Sequence, residues 1–378
     1  MSDKIWLSSP HMGGSERQFV KEAFDTNWVA PLGPNVNGFE KDIAAFLDKD
    51  IYVSALSSGT AAIHLALIIL GIKAGDEVIC QSMTFSASAN PICYLGATPV
   101  FIDSENETWN MNPVFLETAI KDRIQKGKKP KGIIAVHLYG MPAKMDEIIT
   151  IAKKYDIPII EDAAEALGSS ILGKKCGTFG DLSILSFNGN KIITTSGGGA
   201  LISKRQADTL KATFLATQAR DQAAHYQHSQ IGYNYRMSNI CAGIGRGQME
   251  VLPERIEQRR NNFNFYKKEL KDIPGISFLP EPSGFFSNRW LTTILVDPKK
   301  TSSITREHIR LELEKDNIES RPLWKPMHLQ PIFKDCPYYG GEISETLFNN
   351  GLCLPSGSNL KQEELFNVSK KIQKLFKE

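Results

Sequence analysis

Short apolar runs alternate with segments of helical periodicity over the first two-thirds of the chain. The apolar runs predict β-strands at residues 77–81, 99–103, 132–138, 158–162, 182–187 and 199–203. Between them, residues 61–70 and 145–155 carry apolar side chains at the spacing of one buried helix face. This alternation predicts an α/β fold with a mostly parallel central sheet that helices cover on both sides.

The pattern changes after residue 253. Residues 254–270 predict a long charged helix, residues 290–296 short strands, residues 305–316 a helix, and residues 362–376 a last amphipathic helix. These elements are typical of a smaller α+β domain. We therefore expect a large domain at residues 1–253, whose N-terminal residues are able to pack on the second domain, and a small C-terminal domain at residues 254–378.

Composition narrows the possible classes of function. With 378 residues, of which 42% are hydrophobic, the chain is long enough to bury a full core. The 44 basic and 42 acidic residues leave a net charge of +2, which gives no support for binding to nucleic acid or to a membrane. Because no long apolar stretch and no signal peptide is visible, we expect a soluble, cytoplasmic protein. The six cysteines form no C-x-x-C pair, which predicts reduced thiols and no metal site.

Lys191 is the first candidate for chemistry. An apolar strand leads to it, Ser186 lies five residues before it, and a glycine-rich segment follows at residues 196–199. A strand brings the amine to a buried edge, and glycines allow a ligand to approach the backbone closely. Asp162 ends another apolar strand, where a carboxylate can pair with the pyridine nitrogen of pyridoxal phosphate (PLP). Together these residues predict a PLP site, although Asp162 alone also fits an acid that caps a turn.

Five further residues, at three places in the chain, fit the same cofactor. Ser58, Gly59 and Thr60 begin the first apolar helix, where free N–H groups and the helix dipole favour a phosphate, although an ordinary N-cap explains them as well. Glu165 follows Asp162 by three residues and lies either near the cofactor ring or on a solvated helix face. Phe85 follows a strand and either stacks on the ring or belongs to the core.

Several motifs in a fixed order resemble one known family, the sugar-nucleotide aminotransferases of the DegT/DnrJ/EryC1/StrS group, which are fold type I PLP enzymes. The motifs lie at residues 27–34, 57–67, 137–140, 161–166, 186–199 and 321–328. The resemblance implies that Lys191 forms the Schiff base with PLP, Asp162 pairs with the ring nitrogen, and Phe85 stacks on the ring. It also implies that Gly59, Thr60 and Ser186 hold the phosphate, that L-glutamate is the amino donor, and that the pyridoxamine form (PMP) is an intermediate.

A loop at residues 232–239 is similar to one that, in the family, brings an asparagine into the phosphate site of the neighbouring subunit. The resemblance thus assigns Asn234 across the interface of a homodimer whose active sites are shared. Without it, the segment fits an ordinary polar turn before a helix.

Two positions depart from the family pattern. Many relatives have Gly-Glu-Gly-Gly where this chain has Ser196 followed by three glycines, and Glu165 stands where many relatives have glutamine or histidine. Some relatives carry histidine in place of the lysine and dehydrate their substrate instead. Lys191 argues against that chemistry here.

The subgroup is indicated by residues 187–199, 217–221 and 225–228, which look like transaminases that make UDP-4-amino-4,6-dideoxy-N-acetylglucosamine for bacillosamine-type sugars. The rival interpretations are a GDP-4-keto-6-deoxymannose aminotransferase of the perosamine type and a non-catalytic protein that binds PLP or sugar nucleotides. Candidate contacts to the nucleotide sugar, each of which also fits a packing or surface role, are Asn27, Trp28, Arg220, Arg321, Trp324, Lys325 and His328.

Overall fold

The computed structural model describes residues 4–376. The helices within this range are α1 (Glu16–Asp25), α2 (Pro34–Leu47), α3 (Gly59–Ile69), α4 (Asn90–Tyr94), α5 (Pro113–Gln125), α6 (Met145–Tyr155), α7 (Gln206–Ala216), α8 (Asn239–Leu270), α9 (Arg306–Glu314), α10 (Ile343–Asn350) and α11 (Gln362–Leu375). The strands are β1 (Tyr52–Leu56), β2 (Glu77–Gln81), β3 (Thr98–Ile102), β4 (Gly132–Val136), β5 (Ile159–Asp162), β6 (Ser170–Ile171), β7 (Lys174–Lys175), β8 (Leu182–Ser186), β9 (Gly199–Ser203), β10 (Ile276–Phe278), β11 (Phe285–Phe286), β12 (Thr292–Val296), β13 (Arg321–Pro322), β14 (Tyr338–Tyr339) and β15 (Gly351–Leu354).

The central sheet has the strand order β1-β9-β8-β5-β4-β2-β3-β14. Its middle strands run parallel, whereas β9 is antiparallel to both β8 and β1. This confirms the predicted α/β fold, and all six strands predicted in the first two-thirds of the chain are present with ends within two residues of the prediction. Sequence analysis had not identified β1, which pairs with β9 at the edge of the sheet.

The middle strands are apolar on both faces because helices cover both faces. Side chains alternate across a strand, so Ile133 and Ile159 lie in one hydrophobic core while Ile134 and Ile160 lie in the other. Strands that are buried on both sides carry continuous apolar runs, and this is why they could be identified from the sequence.

Helix α8 differs from the prediction. A helix was expected from residue 254, but the structure has one 32-residue helix that begins at Asn239 and continues through Pro253. Proline in a helix interior costs about 3 kcal/mol, because it lacks the N–H and its ring clashes with the preceding turn. Here α8 packs on α1 and α2 with its first half and on α11 with its second, and this packing offsets the lost hydrogen bond.

A second sheet follows α8 in the chain, with the order β10-β12-β15-β13. A separate hydrophobic core lies against it and includes Ile294, Ile309 and, from the N-terminus, Ile5, which pairs with Ile318. The division into domains at residue 253 stays a prediction. Among residues 4–376, none of the helices combines the length and apolarity needed to span a bilayer.

The carboxyl ends of β5 and β8 meet the N-terminus of α3 at one edge of the central sheet. Gly199, opposite Ser186 in the β8–β9 pair, makes this approach possible. A Cβ atom at Gly199 would lie 2.3 Å from the carbonyl carbon of Ser58 and 2.4 Å from the nitrogen of Gly59. Only glycine therefore lets β9 pass directly beneath the start of α3.

Gly199→Ala is expected to lower the free energy of unfolding by about 1–3 kcal/mol, because the backbone of residues 58–59 must move to admit the methyl group. Urea unfolding measures this change. The matched control is Gly197→Ala, whose Cβ would meet nothing within 4 Å and which should change stability by less than about 0.5 kcal/mol. Equal stability of the two variants would contradict the prediction.

Candidate active site

A cavity of about 560 Å³ opens at this edge of the sheet. It is bounded by the N-terminus of α3, by the ends of β5 and β8, and by the segment around β13. The residues predicted from the sequence that line it are Ser58, Gly59, Thr60, Phe85, Asp162, Glu165, Ser186, Lys191, Arg321 and Trp324. The structure thus brings together residues from distant parts of the chain, and their individual roles stay predictions.

Lys191 lies in the turn that follows β8, and its N–H donates to the carbonyl of Asn188 at 2.9 Å. The side chain is largely buried, and Nζ lies 3.6 Å from Oε1 of Glu165. On another side, Nζ lies 4.2 Å from the centre of the Trp290 indole ring. The amine is therefore held inside the cleft between a carboxylate and an aromatic face.

Asp162 ends β5 at the floor of the cleft. One of its oxygens accepts from Ser88 Oγ at 2.6 Å and the other from the N–H of Ala164 at 3.1 Å. Burial raises the pKa of Asp162, and these hydrogen bonds only partly oppose the shift. A positively charged partner at the cleft side would favour the ionised form.

Glu165 is also buried. Its Oε2 accepts from the N–H of Tyr139 at 2.7 Å, and its Oε1 faces Lys191. Burial raises the pKa of Glu165 to about 7, although the charge of Lys191 opposes this. Glu165 is therefore not the solvated helix residue that the sequence also allowed, and it can exchange a proton near neutral pH.

The N-terminus of α3 faces the same cavity. Ser58 is its N-cap, and its Oγ accepts from the N–H of Ala61 at 3.0 Å. The N–H groups of Gly59 and Thr60 belong to the first turn, which has no intrahelical acceptors. Ser186 lies across from Gly59, because a Cβ there would be 3.1 Å from the Cβ of Ser186.

These residues fit PLP. Asp162 is a buried acid that is short of a positive partner, as a protonated pyridine nitrogen would be. The first turn of α3 and the hydroxyl of Ser186 offer donors for a phosphate. Phe85 exposes 56% of its surface and its ring lies 5.5 Å from that of Trp324, so an aromatic face is available at the mouth.

Six predicted residues lie outside the lining of this cleft: Asn27, Trp28, Arg220, Asn234, Lys325 and His328. Most of them are exposed. His328 instead bonds through Nδ1 to Ser82 Oγ at 2.7 Å and through Nε2 to Glu345 at 3.2 Å. It thereby holds the segment that carries Trp324 against the end of β2.

Sequence reasoning missed three residues at the site: Trp290, Tyr139 and Ser88. Trp290 lines the cleft, and Tyr139 bonds to both Glu165 and the N–H of Trp324. Ser88 donates to Asp162 and bonds to Thr84 Oγ1 at 2.8 Å. Ser88 follows the predicted contact Phe85 by three residues and Tyr139 lies in the motif at residues 137–140, but no periodic pattern distinguishes either residue from a core position.

One buried cluster near the cleft combines groups that also occur as metal ligands, namely His137, Glu161 and Cys176. The oxygens of Glu161 already accept five hydrogen bonds, from His137 Nε2, Ser183 Oγ and the N–H groups of residues 177, 179 and 180. The N–H of Ala143 donates to His137 Nδ1. The cluster is therefore a satisfied hydrogen-bond network.

The raised pKa of Glu165 has a consequence for the stability of the cofactor-free protein. Between about pH 4.5 and pH 7 the folded chain keeps a proton on Glu165 that the unfolded chain has released, so stability falls as the pH rises through this window. Glu165→Gln removes the effect. Its stability relative to the native chain should increase by about 2–3 kcal/mol from pH 5 to pH 8, measured by urea unfolding.

The control is Glu257→Gln, an exposed position on α8. The difference in unfolding free energy between this variant and the native chain should be the same at pH 5 and at pH 8. If the stability of Glu165→Gln relative to the native chain is also the same at both pH values, the prediction is wrong and Glu165 does not titrate in this window.

Comparisons with known proteins agree with this geometry. The family model for the DegT/DnrJ/EryC1/StrS aminotransferase family matches residues 10–373. The putative pyridoxal phosphate-dependent aminotransferase EpsN of Bacillus subtilis is 52% identical, covering 100% of this chain and 97% of the relative. The GDP-perosamine synthase of Escherichia coli O157:H7 is 38% identical, covering 98% of each chain.

Solved structures match over nearly the whole chain. A DegT/DnrJ/EryC1/StrS aminotransferase from Brucella abortus superposes with a TM-score of 0.88 at 28% identity, covering 96% of each chain. The PMP form of the putative sugar aminotransferase Spr1654 from Streptococcus pneumoniae gives a TM-score of 0.89 at 26% identity, covering 99% of this chain and 98% of that one. With its cleft, its motifs and these similarities, the chain belongs to the DegT/DnrJ/EryC1/StrS aminotransferase family, whose members are PLP-dependent sugar aminotransferases.

Proposed function

We propose that the chain transfers the amino group of glutamate to C4 of a nucleotide-linked 4-keto-6-deoxy sugar of the UDP-2-acetamido-4-keto-2,4,6-trideoxyhexose type, which leads to UDP-N-acetylbacillosamine. The amino-transfer part follows from the family. The choice of sugar is supported by the similarity of residues 187–199, 217–221 and 225–228 to transaminases of that pathway.

One observation carries the proposal: a largely buried lysine amine lies in a cleft that also contains two buried acids. Lys191 Nζ is 3.6 Å from Glu165, and Asp162 lies at the floor of the same cavity. A protein that only binds nucleotide sugars has no need of an amine in this position, because burying an amine and two acids together is costly unless they serve chemistry.

Each residue then has a distinct task. Bound PLP supplies a ring that takes up electrons from the carbon that loses its proton. Asp162 pairs with the ring nitrogen, and the first turn of α3 with Ser186 holds the phosphate. Lys191 Nζ accepts a proton from the α-carbon of glutamate and later delivers one to C4 of the sugar. Because Glu165 Oε1 lies 3.6 Å from Nζ, its carboxylate balances the charge on the amine while the proton moves.

The mouth of the cleft has the groups that an anionic substrate requires. Among the described residues, Arg321 and Lys191 are the cationic side chains that line the cavity. Arg321 is exposed and pairs with Glu319 at 2.9 Å, so its guanidinium can turn to a pyrophosphate at little cost. Trp324 covers the sugar or base, and exposed Lys325 adds charge nearby.

A second candidate is amination of a GDP-linked 4-keto-6-deoxymannose. The observation that favours it is the identity of 38% and 36% to GDP-perosamine synthases from Escherichia coli and Caulobacter vibrioides over nearly the whole chain. Both candidates share the chemistry at Lys191 and differ in the base and in the group at C2 of the sugar.

We further propose a homodimer in which Asn234 reaches the phosphate site of the neighbouring subunit, with Asn27, Trp28 and Arg220 beside it. Two exposed segments support this. Residues 231–234 precede the start of α8 in the chain, and residues 27–32 contact that start, because Asn239 donates to the carbonyls of Trp28 and Ala30. Trp28, Val29, Leu32 and Ile231 expose 39%, 53%, 55% and 83% of their surface, which is typical of an interface core.

The substrate is tested by incubating the purified chain with PLP, glutamate and a panel of UDP-, GDP- and dTDP-linked 4-keto sugars, with product identification by NMR. We expect the highest kcat/KM for the UDP-2-acetamido sugar and an amine at C4. A preference for the GDP sugar would favour the second candidate. Turnover of none of them would contradict both.

Lys191→Ala is expected to lower turnover by at least about 10⁴-fold and to remove the visible absorption of lysine-bound PLP, because no other group replaces the amine. Absorption spectra and steady-state rates measure both effects. Lys73→Ala, on an exposed turn, is the control and should behave as the native chain. Normal turnover of Lys191→Ala would reject the assignment.

A shared active site predicts complementation between two inactive variants. Asn234→Ala is expected to lower activity through loss of PLP. When Lys191→Ala and Asn234→Ala chains are unfolded and refolded together, half of the dimers are mixed and each has one intact site, so about one quarter of native activity should return. No gain on mixing would show that Asn234 acts within its own subunit.

A further inference from the structure

The amine of Lys191 has a neighbour that neither the motifs nor the assigned roles account for. The indole ring of Trp290 lies with its centre 4.2 Å from Nζ, well inside the distance at which an aromatic face attracts an ammonium group. Trp290 is 2% exposed and follows β11 in the chain, 99 positions after Lys191. Only the fold brings the two together.

The ring of Trp290 is held in place from several directions. Its Nε1–H donates to the carbonyl of Asn190 at 2.8 Å, and its backbone N–H donates to Asn288 Oδ1 at 2.9 Å. Its own carbonyl accepts from the guanidinium of Arg259 at 2.5 Å. The rings of Tyr139 and Trp324 lie 6.5 and 6.1 Å away. A ring bound in this way has one orientation.

The same contacts also fix the backbone at the lysine. The carbonyl of Asn190, which forms the peptide bond to Lys191, accepts from both Trp290 Nε1 and Ser8 Oγ. The carbonyl of Lys191 accepts from Arg259 at 3.4 Å. Trp290 is therefore in contact with the tip of the side chain and with the peptide at its base.

We propose that Trp290 is a positioning residue for Lys191: its indole face holds the free amine at one place in the cleft whenever the amine is not bonded to the cofactor. The inference rests on the proposed function. An indole face attracts an ammonium group but offers no lone pair that takes the proton. It therefore orients the amine and does not itself take up the proton that the amine must move. Glu165, whose Oε1 lies 3.6 Å from Nζ, does not serve in the same way, because a carboxylate can take the proton from the amine.

If Trp290 only fills the core, its replacement by Phe or by Leu should affect the reactions of Lys191 equally; if it positions the amine, Phe should replace it and Leu should not. Trp290→Phe keeps an aromatic face below Nζ, whereas Trp290→Leu keeps apolar volume without a face. The control is Trp109→Phe, a tryptophan of the same hydrophobic core that is 4% exposed and does not line the cleft. Thermal unfolding verifies that each variant is folded.

The first measurement is the rate at which the cofactor-free full chain captures PLP on Lys191, followed by borohydride reduction and peptide mapping. We expect Trp290→Leu to be at least about tenfold slower than the native chain and Trp290→Phe to remain within about threefold. Trp109→Phe should match the native chain. Equal rates for the Leu and Phe variants, whether fast or slow, would overturn the proposal.

The second measurement is the single-turnover reaction with glutamate. Displacement of the amine by even 1 Å costs on the order of 10²-fold in rate, so Trp290→Leu should lose 10- to 100-fold in the limiting rate constant with little change in the glutamate concentration at half-maximum. The proposal would be overturned if Trp290→Leu changed only the glutamate concentration at half-maximum and left the limiting rate constant unchanged. If the native chain aminates no nucleotide sugar, the proposed function fails, while PLP capture still decides the role of Trp290.

Discussion

The buried carboxylate of Glu161 is the interaction on which the site depends. It receives donors from His137 at the end of β4, from the turn before β8, and from Ser183 on β8 itself. Burial alone would raise the pKa of Glu161, but the donors outweigh it and the pKa is lowered. One charge therefore ties the carboxyl ends of β4 and β5 to the start of β8. Because side chains alternate across a strand, the next residue, Asp162, points to the opposite face and into the cleft.

The pKa values of the acids at this edge are therefore shifted in opposite directions. Glu161 has all its acceptors satisfied and serves the fold, whereas burial raises the pKa of Asp162 and Glu165 because each has too few partners. Because hydrogen bonds offset the burial of these two acids only in part, the acids lower the stability of the fold. The same lack of partners also makes the cleft ready for a positively charged ring nitrogen and for an amine that changes its protonation state. Strain of this kind is expected where a protein performs chemistry.

Much of this arrangement could be predicted from the sequence, for a physical reason. Strands buried on both faces leave continuous apolar runs, and the acids and lysine that follow them must meet at one edge of a parallel sheet. Trp290 could not be predicted, because its contact with Lys191 depends on how the chain returns from the second sheet. The full length of α8 could not be predicted, because local propensity disfavours Pro253 in a helix interior, whereas packing along both halves of the helix decides the outcome.

The floor and the mouth of the cleft are connected through Tyr139. Its N–H donates to Glu165, and its hydroxyl accepts from the N–H of Trp324. The backbone of Tyr139 is left-handed, with φ of 53°, which costs on the order of 1 kcal/mol and persists only because these contacts hold it. Tyr139 therefore joins the segment that carries Trp324, through its side chain, to the acid beside Lys191, through its backbone.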